Sequence, residues 1–279
     1  MSSSPRTWTC GASCTRIAMW RSGCRNPMST RDAEGVALAV RAAIDSAERI
    51  AILTGAGMSA ESGIPTFRGD RNGLWARFDP MSLATPEAWR SDRELVWGWY
   101  LWRMAVVRRA QPNAGHLALA RLARRKAVSV VTQNVDDLHE RAGSRDVVHV
   151  HGELFASRCD RCGRPARHDI PDAAADAPML RVPPPRCDDC DGHLRPGVVW
   201  FGEALPTDAW NAAVAAVESC ELLLVVGTSG LVHPAAGLPQ LAKRNGARVL
   251  EVNPVESALS GVADECLRVT AAELGVVID

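Results

Sequence analysis

Short apolar or β-branched runs recur along this chain with helix-period stretches between them, and no other feature limits the fold so strongly. "RIAILT" (49–54), "AVSVVT" (127–132), "DVVHVH" (146–151), "ELLLVVGTS" (221–229) and "ARVLEVN" (247–253) each read as a strand buried on one or both faces. The helical period appears in "STRDAEGVALAVRAAIDSAE" (29–48), where Val36, Val40, Ile44 and Ala47 share a face, and in 113–126, 136–143 and 207–220. Gly143 closes the third of these stretches as a C-cap would. Strands alternating with helices predict an α/β fold, a Rossmann-like parallel sheet with helices on both faces. At 279 residues and 47% hydrophobic content, the chain can bury such a core.

Two segments interrupt the alternation. Residues 69–112 are rich in tryptophan and helical in character, and residues 155–195 carry two C-x-x-C pairs and the run "VPPPR". Both read as insertions that together make a smaller module beside a core of 29–68, 113–154 and 196–279, with a cleft between module and strand ends. Residues 1–28 have no period and no acidic residue, and are expected to be a disordered extension.

Lys plus Arg and Asp plus Glu both number 32, so no overall basic field points to nucleic acid. The local run "RLARRK" (121–126) reads as a solvated helix end. No apolar run approaches the roughly 18 residues of a membrane span, and the N-terminus lacks an apolar signal core. A soluble, cytoplasmic monomer with neither nucleic-acid nor membrane partners is the expectation.

Four of the nine cysteines, Cys159, Cys162, Cys187 and Cys190, form two knuckles spaced for tetrahedral zinc. Four protein ligands leave no open position, so the metal is expected to be structural. After the first strand, Gly55, Ala56, Gly57 and Ala60 match G-x-G-x-x-A, which would let a dinucleotide pyrophosphate approach the backbone at a helix N-terminus. An ordinary tight turn is the plainer alternative, and no acidic residue closes a second strand as the dehydrogenase fingerprint requires.

"TQNVDDLH" follows the second strand and offers Gln133, Asn134 and Asp136 as a polar cluster for ribose hydroxyls and an amide, or else an Asx-type turn. His139 reads as structural. "HVHGELF" carries His149 and His151 two apart, and His151, beside Gly152 at the strand's end, is the better placed general base. "ELVWGWYLWRM" (94–104) sets the chain's single tyrosine, Tyr100, one helical turn before Arg103, a hydroxyl and a guanidinium side by side. Such a pair could hold a carboxylate, or Arg103 could merely run along an apolar helix to water.

From about residue 30 to 279 the chain resembles the sirtuins, NAD-dependent protein-lysine deacylases. The blocks that carry the resemblance are "GAGMSAESGIPTFRG", "TQNVDDLH", "HVHGELF", the two C-x-x-C pairs, "RPGVVWFGE", "GTSGLVHPAA" and "EVNP", in that order. Met58 and His233 depart from the family's usual residues.

The resemblance implies NAD on the Gly55–Gly57 turn, covered by Phe67, Arg68 and Trp75. Ser229 and Asn253 would lie toward the adenosine half, Gly227, Thr228 and Ala271 would also bind the cofactor, and Gln133, Asn134 and Asp136 would lie at the ribose and nicotinamide. It implies a catalytic set of His151, Asn134 and Asp136, in which His151 deprotonates a ribose hydroxyl after the acyl oxygen has displaced nicotinamide. The acylated protein would bind as an extended strand between "VVWFGE" and "GLVHP", touching Val199, Phe201 and Gly202. Tyr100 and Arg103, with Ala84, resemble the acyl pocket of the class that accepts succinyl and malonyl groups. An ADP-ribosyltransferase using the same NAD site is the alternative within enzymes, and a zinc-knuckle tether the alternative outside them.

Overall fold

The computed structural model describes residues 30–65, 80–166 and 181–278. Phe67, Arg68, Trp75 and the segment 1–28 lie outside them. The strands are β1 (Arg49–Thr54), β2 (Ala127–Thr132), β3 (Val147–His149), β4 (Gly152–Cys159), β5 (Pro165–Ala166), β6 (Leu194–Val198), β7 (Leu222–Val226), β8 (Arg248–Val252) and β9 (Glu265–Leu267). The helices are α1 (Thr30–Ser46), α2 (Pro80–Leu83), α3 (Pro86–Ser91), α4 (Arg93–Arg109), α5 (Ala114–Leu122), α6 (Leu138–Ala142), α7 (Thr207–Ser219), α8 (Leu238–Arg244) and α9 (Leu274–Ile278).

Six strands form one parallel sheet in the order β3-β2-β1-β7-β8-β9. Side chains alternate across it. Ile50 and Ile52 join Val40, Ile44, Leu119 and Leu274 of α1, α5 and α9 on one face, while Ala51 and Leu53 join Val217, Leu238 and Ala242 of α7 and α8 on the other. Helices therefore cover both faces, as expected of a doubly wound fold. The run 146–151 is a strand only to His149; His151 falls in the turn that leads into β4.

β4 pairs antiparallel with β5 and β6 in a separate three-stranded sheet, with a register shift between Glu153 and Ser157. Against it packs α4, whose buried residues include Trp97, Trp99, Tyr100 and Trp102. Side-chain caps set the helix starts here: Thr85 Oγ1 accepts from the Ala88 amide at 3.1 Å, and Asp92 Oδ1 from the Leu95 amide at 3.1 Å. Asn113 caps α5 in a reciprocal box with His116. No helix among the described residues is long and apolar enough to cross a membrane.

Candidate active site and metal centre

Strand order reverses between β1 and β7, so the loops after β1, β2, β7 and β8 meet at the sheet's switch point, where open α/β sheets bind ligands. The floor of that crevice is backbone. The Gly55 amide donates to Val226 O at 3.1 Å, the Gly57 amide to Gly227 O at 2.8 Å and the Gly227 amide to Val252 O at 3.0 Å. A Cβ on Gly57 would lie 2.7 Å from Gly227 O, and one on Gly55 2.8 Å from Thr228 Cβ. Glycine is required here by loop-on-loop contact. The helix start expected after this turn is instead two 3-10 turns, Ala56–Met58 and Ala60–Ser62, the second ended by Gly63 at φ +84° with Pro65 just beyond.

Above the floor, polar side chains are hydrogen-bonded to one another. Asn134 Nδ2 donates to Gly55 O (3.1 Å) and Ser59 Oγ (3.2 Å), and Ser59 Oγ donates to Asp136 Oδ2 (3.0 Å). Burial pushes the Asp136 carboxyl up, while the bonds from the Leu138 amide and Ser59 act against that shift. Gln133 Nε2 donates to Thr228 Oγ1 at 2.9 Å and Asn253 Nδ2 to Thr228 O at 2.9 Å, which ties the β2, β7 and β8 loops together. Ser229 is half-buried beside them. Ala271 belongs to the core patch under α5, where its carbonyl oxygen would be 2.1 Å from a Cβ on Gly115.

The two histidines have different partners. His149 Nδ1 contacts Asn134 O at 3.0 Å and its Nε2 contacts Glu140 Oε1 at 2.7 Å. Burial alone would lower its pKa, but the hydrogen bond and charge of Glu140 prevail and raise it. Among the described residues, His151 Nδ1 contacts only the carbonyl oxygen of Gln133, at 3.0 Å. A carbonyl only accepts, so Nδ1 carries the hydrogen and Nε2 holds the basic lone pair. Burial lowers the pKa of His151, favouring the neutral ring. His139 is buried and hydrogen-bonded to Thr54 Oγ1 at 3.1 Å, as a structural residue would be.

Tyr100 is buried, and its hydroxyl oxygen accepts from Trp200 Nε1 at 2.9 Å. Arg103 Cζ lies 4.9 Å from the Trp99 ring centre and 5.4 Å from that of Tyr100. Ala84 is buried with Tyr100 and Trp200, and its carbonyl accepts from the Phe201 amide at 3.0 Å. The Val199 amide donates to His151 O at 2.8 Å, so the segment 199–201 links the histidine to the Ala84 turn. Phe201 and Leu231 are exposed large apolar residues on the two segments that would flank a peptide. Gly202 adopts φ +86°, and a cleft of about 380 Å³ adjoins it, lined by Glu203, Leu205, Trp210 and His233 among others.

The four cysteine sulfurs lie within 4.8 Å of one another, with Cys159–Cys190 at 3.5 Å and Cys162–Cys187 at 3.8 Å. A tetrahedron with Zn–S bonds of about 2.3 Å has edges of about 3.8 Å, so the donor set fits zinc. The amides of Arg161 and Cys162 approach Cys159 Sγ at 3.3 and 3.5 Å, and Gly192 passes where a Cβ would be 2.7 Å from that sulfur. Such a site is closed and structural.

Several contributors escaped sequence reasoning. Ser59, inside the glycine-rich block, connects Asn134 to Asp136. Asn113 reaches from its cap to Met58 O at 2.8 Å and Ser62 Oγ at 3.1 Å. Arg195 and Glu203, within "RPGVVWFGE", support Trp200. A polar residue before a helical run signals Asn113; the others depend on contacts between distant segments.

A doubly wound sheet with polar loops at its switch point and a four-cysteine module defines a class of ligand-binding α/β proteins, and the comparisons name the family. The Sir2 family model matches residues 55–234. A protein named NAD-dependent protein deacylase from Mycolicibacterium paratuberculosis is 55% identical over 225 residues, 81% of this chain and 94% of its own length. NAD-dependent protein deacylase 1 of Pseudomonas aeruginosa is 55% identical over 229 residues, covering 82% and 92%. A solved Sir2 homologue–NAD complex superposes with a TM-score of 0.80 at 44% identity, covering 92% of this chain and 96% of that one. The chain belongs to the Sir2 family and is an NAD-dependent sirtuin enzyme.

Proposed function

We propose that this enzyme removes acyl groups from protein lysines with NAD as co-substrate, and that its acyl pocket accepts succinyl and malonyl as well as acetyl groups. Bound NAD supplies an anomeric carbon open to attack and nicotinamide as leaving group. Gln133, Asn134, Asp136, Ser229 and Asn253 would hold it, since they line the switch point with the amide, hydroxyl and carboxylate groups a dinucleotide needs. The Gly55–Gly57 and Gly227–Thr228 backbone would lie beneath it.

One observation carries the reading: His151 presents a neutral imidazole whose only hydrogen sits on Nδ1 against Gln133 O, leaving Nε2 to take a proton from a ribose hydroxyl. Asn134 and Asp136, joined through Ser59, would supply the polar groups at the ribose and nicotinamide. The acylated segment would add as a strand beside Val199, Phe201 and Gly202, which demands little of the peptide's sequence. The pocket would then choose among acyl groups: Arg103 and Tyr100 supply a guanidinium and a hydroxyl for a distal carboxylate, and the small Ala84 leaves room for its extra atoms. Products are the free lysine, nicotinamide and O-acyl-ADP-ribose.

The test is NAD consumption with acetyl, succinyl and malonyl versions of a single peptide. All three should be deacylated in step with nicotinamide release. NAD consumed without loss of the acyl group would favour ADP-ribosyl transfer instead.

A further inference from the structure

The hydrogen bond between Trp200 Nε1 and Tyr100 OH has a directional consequence. An indole N–H only donates, so the tyrosine oxygen must accept from it at 2.9 Å. Arg103, whose guanidinium Cζ lies 5.4 Å from the Tyr100 ring centre, can likewise only donate. Neither neighbour can take the phenol's hydrogen. The phenol's own hydrogen is left over, and no group among the described residues accepts it. Tyr100 is buried, at 1% exposure, and a buried donor without an acceptor is costly. The arrangement calls for an acceptor brought by the ligand, and a carboxylate oxygen is the strongest such acceptor.

Trp200 is itself firmly held. Its indole is 2% exposed, and the Arg195 guanidinium lies over it with Cζ 3.3 Å from the ring centre. Glu203 binds Arg195 through both oxygens, at 2.6 and 2.9 Å, and accepts from the Trp200 backbone amide at 2.9 Å. Arg195 is on β6, so a strand of the cysteine module braces the indole that orients Tyr100.

We propose that Trp200 is a specificity-determining positioning residue: its indole N–H holds the Tyr100 oxygen as an acceptor, so that the phenol donates its hydrogen to the distal carboxylate of a dicarboxylic acyl-lysine. The proposal rests on the dicarboxylic-acyl reading of the pocket. Arg195 and Glu203 act through Trp200 and touch no substrate.

Because Tyr100 is the only tyrosine in the chain, protein made with tyrosine labelled by carbon-13 at the hydroxyl-bearing ring carbon gives a single resonance for this hydroxyl. Trp200→Phe keeps a ring under Arg195 and removes the donor together with the indole's second ring. That resonance should move in Trp200→Phe, and the ratio of kcat/KM for succinyl-peptide over acetyl-peptide should fall about three- to tenfold, the range of one neutral hydrogen bond. The loss should appear in KM for succinyl-peptide more than in kcat. In a Tyr100→Phe background, Trp200→Phe should change the ratio no further.

An unmoved resonance would show that the bond does not exist in solution and would overturn the proposal. So would an unchanged ratio in Trp200→Phe alongside a lowered one in Arg103→Met, which would leave the pocket reading standing. If neither Arg103→Met nor Tyr100→Phe altered the ratio, the dicarboxylic-acyl reading itself would fall, and this proposal with it.

Discussion

His149 engages both of its ring nitrogens, on Asn134 and Glu140, whereas His151, two residues further on, engages only one among the described residues, on Gln133. The first pattern is that of a fastened structural group and the second that of a base kept available. His151→Ala should lower deacylation by about 10²- to 10⁴-fold while leaving the fold and NAD binding intact. His149→Ala should keep turnover and lower the melting temperature, since it leaves Glu140 without its partner. Steady-state kinetics and thermal melts of the two variants decide the matter, and a dead but stable His149→Ala would reverse the assignment.

The Arg103 fork provides a second test. A charge-assisted hydrogen bond contributes about 1.5 to 3 kcal/mol, so Arg103→Met should lower kcat/KM for succinyl-peptide by tens- to hundreds-fold. The value for acetyl-peptide, which has no distal carboxylate, should hardly change. Equal losses on both would make Arg103 a packing residue that covers Trp99 and Tyr100.

Zinc should be inseparable from folding of the cysteine module. Cys159→Ser removes one of four sulfurs and should release metal and native structure together, as measured by metal content and circular dichroism. A folded, metal-free and fully active Cys159→Ser protein would contradict a structural role.

Acid should weaken the fold through a pair of buried rings. His116 and His139 lie 4.9 Å apart with tilted planes, and burial lowers their pKa values to about 4 and about 3. Free histidine takes up its proton near pH 6.5, so below that value the unfolded chain binds protons that the native state refuses. Stability should therefore be unaffected by this pair above about pH 6.5 and fall as pH drops towards 4, by up to about 1.4 kcal/mol per unit for each ring. Urea titrations of wild type and His116→Gln across that range should show a shallower slope in the variant.

The sheet was readable in the sequence where burial is continuous. β1 and β2 coincide with the apolar runs 49–54 and 127–132, because central parallel strands are apolar nearly throughout. β9 was not seen: three residues at a sheet edge make too short a pattern. The β4–β6 sheet also escaped, since a register shift between Glu153 and Ser157 interrupts the alternation that marks a strand. The glycine-rich turn showed its tightness but not what it tightens against, which is Gly227, more than a hundred residues away in sequence. Tyr100 and Arg103 stood out because helical spacing is local, whereas Trp200 meets Tyr100 across 100 positions and left no local sign.

The contact between Gly57 and Gly227 bears on how such an enzyme can change. Two main-chain segments meet there with no side chain between them, so this floor of the crevice offers almost nothing for substitution to act on. Along the walls of the proposed acyl pocket substitution has more to act on, at positions such as Ala84, Tyr100 and Arg103. A descendant could thus exchange one acyl diet for another while its use of NAD stayed fixed.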